Sequence, residues 1–141
     1  MADDDEDDHI LVREALRESQ LLIDLHIVSN GEELLNYLHH RGLYTDKSQA
    51  PRPGLILLDL NMPKKNGLEV LRDIKTNPLF RRIPVIVLST SNDKEDIYRT
   101  YDLGANSFIT KPVTFTALVE IMKNIGKYWF EIVQLPLESV G

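Results

Sequence analysis

The chain has 141 residues, 43% of them apolar and 27% charged, with a formal net charge of −6 and no cysteine. That length supports one domain whose core needs no staples, and the missing cysteines exclude disulfides and thiolate chemistry. The negative charge argues against nucleic acid or an anionic membrane surface as partner. The lack of a signal-like or long apolar segment points to the cytoplasm rather than export or insertion.

The opening, MADDDEDD, holds six carboxylates in eight residues. Acidic termini are usually solvated tails, so only the rest of the chain can give this one a role. Behind it, Leu11, Val12, Ala15 and Leu16 recur at helical spacing. LIDLHIVS alternates branched apolar residues with polar ones and predicts a strand. GEELLNYLHHRG predicts a short helix stopped at Gly42, and LYTDKSQAPRPG a long loop. LILLD, from Leu55 to Asp59, is a continuous apolar run, the pattern of a strand buried on both faces.

After the turn-rich LNMPKKNG comes a helix, LEVLRDIKTN, ended by Pro78. PVIVLS, Pro84 to Ser89, repeats the buried-strand pattern. DKEDIYRTYDLG predicts an amphipathic helix ending at Gly104, NSFIT a short strand, and TFTALVEIMKNIGKYWFEIV a long last helix. Strands alternating with helices imply a parallel sheet with right-handed crossovers.

In open parallel α/β sheets, ligands bind beyond the carboxyl ends of the strands. Three successive strand candidates end at Asp59, Ser89 and Lys111. Singly these read as a turn residue, a turn former and a solvated charge. Together they place a carboxylate, a hydroxyl and an ammonium on one edge. His39 and His40 are adjacent, so on a helix they point apart and make a poor metal pair. No glycine-rich phosphate loop is present.

LILLDLNMPKKNGLEVL, PVIVLSTS and SFITKP, in this order, resemble the three signature segments of bacterial response-regulator receiver domains. The resemblance implies a doubly wound, five-stranded parallel sheet of flavodoxin-like type over residues 1–128, with 129–141 as a C-terminal extension. It implies Asp59 as phosphoacceptor, Lys111 as the phosphate-pairing lysine, Ser89 as the switch hydroxyl and Phe108 as the switch aromatic. Asp3, Asp4 and Asp59, with the Asn61 carbonyl, would hold a metal ion. Three carboxylates within ~5 Å repel by roughly 3 kcal/mol per pair at an effective dielectric near 20, so only a cation makes the cluster tolerable. All-oxygen ligands beside a phosphate favour Mg²⁺. Asp5, Glu6, Asp7 and Asp8 are left as helix-start acids and turn residues.

The expected function is that of a single-domain response regulator, not an enzyme beyond its own phosphorylation and dephosphorylation. The phosphoryl group would come from a sensor histidine kinase. The alternative is a non-phosphorylated interaction module on the same fold with a disabled acidic site; a flavin carrier is a distant third. The long loop before Leu55 and the tail YWFEIVQLP resemble the phytochrome-associated single-domain response regulators, which implies a phytochrome as kinase. The apolar stripe Leu118, Ile121, Met122, Ile125, Trp129, Ile132 and Val133 should cover the sheet in its first half. Past the sheet edge, Tyr128, Trp129, Phe130 and the following IVQLP would form a homodimer interface.

One feature departs from the family's pattern. A full apolar strand precedes the acidic pair there, whereas only Met1 and Ala2 stand before Asp3 here. The expectation is a largely missing first strand and an open central slot, to be filled by residues ahead of Met1 or by a segment of a partner chain. Restoring that strand should raise the melting temperature and strengthen Mg²⁺ binding.

Overall fold

The two continuous apolar runs form the centre of the protein, whose computed structural model describes residues 1–21 and 23–137. Strand β1 is Ile56–Leu58 and strand β2 is Val85–Ser89, and every residue of both is buried. They pair in parallel with Ile56 opposite Val85. Strand β3, Ser107–Thr110, pairs in parallel with the other edge of β2, Ile86 facing Ser107.

Alternation along the strands sorts their side chains to two faces, each covered by helices. Helices α2 (Gly31–His39) and α3 (Gly67–Thr76) bring Leu34, Leu38, Val70, Leu71 and Ile74 onto Ile56, Leu58, Val85 and Val87. Helices α1 (Glu6–Glu18) and α5 (Phe115–Gly126) bring Val12, Ala15, Met122 and Ile125 onto Leu57, Ile86 and Leu88. Helix α4, Lys94–Asp102, precedes β3 and buries only Thr100. Each α-helix starts on a side-chain cap, from Asp5, Asn30, Asn66, Asp93 and Thr114 in turn. Such a cap contributes about 1 kcal/mol, and the acids that follow suit the positive end of the helix dipole.

The alternating segment LIDLHIVS is not a regular strand over its described residues, 23–29. Among its described residues only Val28 makes a β-bridge, in parallel with Ala2, which bridges Leu58 on its other side. Five segments thus lie side by side in the order Val28, Ala2, β1, β2, β3, and among the described residues only the last three are regular strands. The reason lies in the slot between Val28 and β1. Met1–Asp3 occupy its upper end with a ladder on both sides: Val28 N–H donates to the Met1 carbonyl and Asp3 N–H to the Val28 carbonyl. On the opposite side, Ala2 N–H donates to the Leu57 carbonyl and Asp59 N–H to the Ala2 carbonyl. Below Met1 no described chain continues that ladder. A cavity of about 330 Å³ opens there, lined by Leu16, Leu25, Leu55, Met122 and Ile125 among others. Residues 23–27, beside that cavity, are irregular.

Two smaller differences have local causes. Helix α2 stops at His40, which takes the left-handed conformation at φ 55°, two residues before Gly42 at φ 61°. The last helix loosens into a π-helical turn over Lys127–Ile132 where it leaves the sheet. Its buried stripe consists of Met122 and Ile125, with Leu118, Ile121 and Trp129 partly covered. Tyr128, Phe130 and Ile132 are exposed.

The Met1 α-ammonium donates to the His26 carbonyl at 2.7 Å. Burial, ahead of the nearby Arg13 charge, pushes its pKa down from 8.0 to about 5, with Asp3 opposing. The unfolded amine takes its proton near pH 8 and the folded one only near 5, so this group removes stability as pH falls across that window. An Nα-acetyl cap keeps an N–H donor for His26 without the charge. Chains starting at Met1 are therefore expected to show a flatter urea midpoint between pH 8 and 6 when acetylated than when free. Parallel pH profiles for the two forms would contradict the buried, neutral amine.

Candidate functional site

The carboxyl ends of the strands open into a cleft of about 630 Å³, lined by Asp3, Asp4, Asp8, Asp59, Thr90 and Lys111 together with apolar residues of α1 and the β3–α5 loop. Asp59 directly follows β1 and is buried, its own N–H held by Ala2. The central segment Met1–Asp3 runs parallel to β1, so the buried Asp3 emerges at the same edge, with the exposed Asp4 beyond it. One carboxylate oxygen from each of Asp3, Asp4 and Asp59 lies within 4.8 Å of the other two.

Local packing fixes this edge. Asn61 N–H donates to Asp59 Oδ1 at 3.2 Å, and Gly67 N–H to the Leu60 carbonyl at 2.9 Å. A Cβ at Gly67 would fall 2.5 Å from the Asp59 carbonyl oxygen, so only glycine lets α3 start this close behind the acid. Asp5 N–H donates to Asp3 Oδ1 at 2.9 Å, and the His9 ring bonds the Asp3 carbonyl.

The ammonium arrives from β3. Lys111 N–H donates to the Ser89 carbonyl at 2.7 Å, which extends the β2–β3 ladder to the cleft. Its Nζ stands 2.7 Å from Asp8, 3.0 Å from Asp3 and 3.5 Å from Asp59. Burial disfavours the charge on Lys111, but the surrounding carboxylates outweigh it and raise its pKa. Burial also raises Asp59 against the pull of Lys111, and raises Asp3 to about 6 against the Asp5 N–H and Lys111. For Asp8, burial is overcome by its bond to Lys111, and its pKa is lowered. Buried carboxylates pushed upward in a shared space are short of positive charge, which a divalent cation supplies. The donors are all oxygen, so the site fits a hard ion.

Of the residues singled out from sequence, Asp3, Asp4, Asp59 and Lys111 therefore converge. Asn61 touches the cluster through its backbone N–H; its side chain is exposed. Ser89 is fully buried at the end of β2, and its hydroxyl accepts the Ser91 N–H at 3.1 Å. Thr90, next in sequence, lines the cleft. Phe108 is partly buried, opposite Val87 in the register and packed on the α2–α3 core. His39 stacks edge-on against Phe80, and the His40 ring bonds the Ala50 carbonyl, so neither approaches the cleft. Asp8 was missed. The sequence places it with the helix-start acids, and Asp5, Glu6, Asp7 and Asp8 do occupy the cap and first turn of α1. Asp8 also makes the shortest contact to Lys111. No helical spacing marks it, because Asp4 precedes the Asp5 cap and shares no helix face with it.

Comparison with known proteins agrees with this geometry. The chain is 40% identical over 136 residues to the response regulator Rcp1 of Synechocystis sp., covering 96% of this chain and 90% of Rcp1. The crystal structure of a phosphorylated cyanobacterial phytochrome response regulator, RcpA, superposes with a TM-score of 0.89 at 43% identity, covering 96% of this chain and 95% of that one. A response regulator in red light signaling of R. palustris gives 0.92 at 33% identity, with 97% and 96% covered. A Mn²⁺-bound form of Rcp1 superposes with a TM-score of 0.86 at 40% identity, covering 96% of each chain. Residues 1–123 match the model of the response regulator receiver domain, and the chain belongs to that family, with phytochrome response regulators among its near relatives.

Proposed function

We propose that this protein is a single-domain response regulator that accepts a phosphoryl group on Asp59 and changes its surface in consequence. The observation that carries this reading is the convergence of Asp59, Asp3 and Asp4 with the Lys111 ammonium at one strand edge. An Asp59 oxygen attacks phosphorus, the bond to the donor nitrogen of a phosphohistidine breaks, and the electron pair stays on the imidazole. Such transfer needs mainly positioning and cancellation of charge on the equatorial oxygens. Lys111 binds one of them. A divalent ion on Asp3, Asp4, Asp59 and the Asn61 carbonyl, Mg²⁺ by abundance and hardness, supplies further neutralisation when bound.

The Ser89 hydroxyl, which accepts the Ser91 N–H at rest, then turns to donate its O–H to a phosphoryl oxygen, and Phe108 moves into the space released. The alternative, an interaction module with a disabled site, requires a broken acidic cluster. The intact one weighs against it. The phosphodonor is a sensor histidine kinase, a phytochrome by the names of the relatives, working in the cytoplasm where the donor phosphohistidine is made. Tyr128 at 50% and Ile132 at 59% exposure, with Phe130 between them, offer an apolar face for a homodimer.

Asp59→Asn is expected to abolish acid-labile phosphorylation by acetyl phosphate in Mg²⁺ while leaving the thermal transition cooperative; labelling equal to the parent would sink the assignment. Because protons compete for Asp3 with its pKa near 6, Mg²⁺ affinity should level off above pH 7. Below pH 6 it should fall roughly tenfold per pH unit. Titration calorimetry showing an unchanged affinity at pH 5 would count against Asp3 as a ligand. For the dimer, sedimentation should give a two-chain species that Tyr128→Glu with Ile132→Glu converts to monomer; a monomeric parent at high micromolar concentration contradicts it.

A further inference from the structure

Lys111 is bound more closely by Asp8 than by the residue it is to serve. Its Nζ is 2.7 Å from Asp8 on the first turn of α1, against 3.5 Å from Asp59. Asp8 is one-quarter exposed and Lys111 less than one-fifth, so the pair is screened by water only in part. We propose that Asp8 is a positioning residue that holds Lys111 in the resting state and competes with the phosphoryl group for it. This rests on the reading of Asp59 as phosphoacceptor.

The competition follows from the donor count. An ammonium has three N–H groups, and here Asp8 and Asp3 each take one at hydrogen-bond distance. The third is directed to Asp59 at a distance too long for a strong bond. When Asp59 carries a phosphoryl group, Asp3 is held by the divalent ion, and a doubly charged oxygen cluster sits beside Nζ. Asp8 is then the one carboxylate contacting Lys111 that lies outside the group of Asp3, Asp4 and Asp59 able to hold the ion. Lys111 must loosen the Asp8 contact to follow the phosphoryl oxygen. The strength of that contact sets part of the resting-state bias, and its loosening carries the event to the start of α1.

Asp8→Asn is nearly isosteric and removes the charge while keeping an acceptor oxygen, so α1 retains its first turn. With beryllium trifluoride and Mg²⁺ as the phosphoryl-like probe, read by fluorine NMR, the parent should bind and Asp59→Asn should not. Asp8→Asn should bind the probe about fivefold more tightly than the parent, the size of one partly screened ion pair. In a Lys111→Met background the same substitution should change the affinity less than twofold, because its effect runs through the lysine. Parent chain that fails to bind the probe overturns the reading of Asp59. A parent that binds, with Asp8→Asn equal or weaker, or with the same gain in the Lys111→Met background, overturns the role of Asp8 alone.

Discussion

One ammonium organises the working edge of this protein. Lys111 ties together three separate parts of the chain: Asp3 on the central segment, Asp8 on α1, and Asp59 at the end of β1. Without it, and without a bound cation, four carboxylates would face one another across a small cleft. Burial already strains two of them, Asp3 and Asp59, toward their protonated forms. Lys111 supplies part of the positive charge that such acids need, and the cluster of Asp3, Asp4 and Asp59 leaves room for a further cation.

The sheet gives that edge its rigidity, and the central slot is where the sheet is thinnest. Met1–Asp3 pair on both sides and thereby hold Asp3 level with Asp59. The same three residues bury a free amine whose charge is disfavoured there. The position of Asp3 thus depends on a few backbone hydrogen bonds of Met1–Asp3, beside a cavity of about 330 Å³.

Much of this was legible in the sequence because the strongest signals were also the most local. Continuous runs such as LILLD and PVIVLS admit few readings other than buried parallel strands, and their last residues then mark the site by topology. Helical spacing and the stop signals at Pro78 and Gly104 placed the helices nearly as well. The alternation in LIDLHIVS shows as a single β-bridge at Val28 among its described residues, because period alone does not supply a neighbour to pair with. His40 replaced Gly42 as the α2 terminator because a histidine tolerates the left-handed turn that the sequence seemed to reserve for glycine. Asp8 stayed hidden among six acids in eight positions, since composition cannot say which of them meets a lysine about a hundred residues away.

The site of the phosphoryl group can be located chemically. Borohydride reduces an aspartyl phosphate to homoserine, so trapping after incubation with acetyl phosphate and Mg²⁺, followed by peptide mass spectrometry, locates it directly. The prediction is homoserine at position 59 and at none of positions 3, 4 or 8. Conversion at one of those three instead, or none anywhere under conditions where a known receiver is labelled, would contradict it.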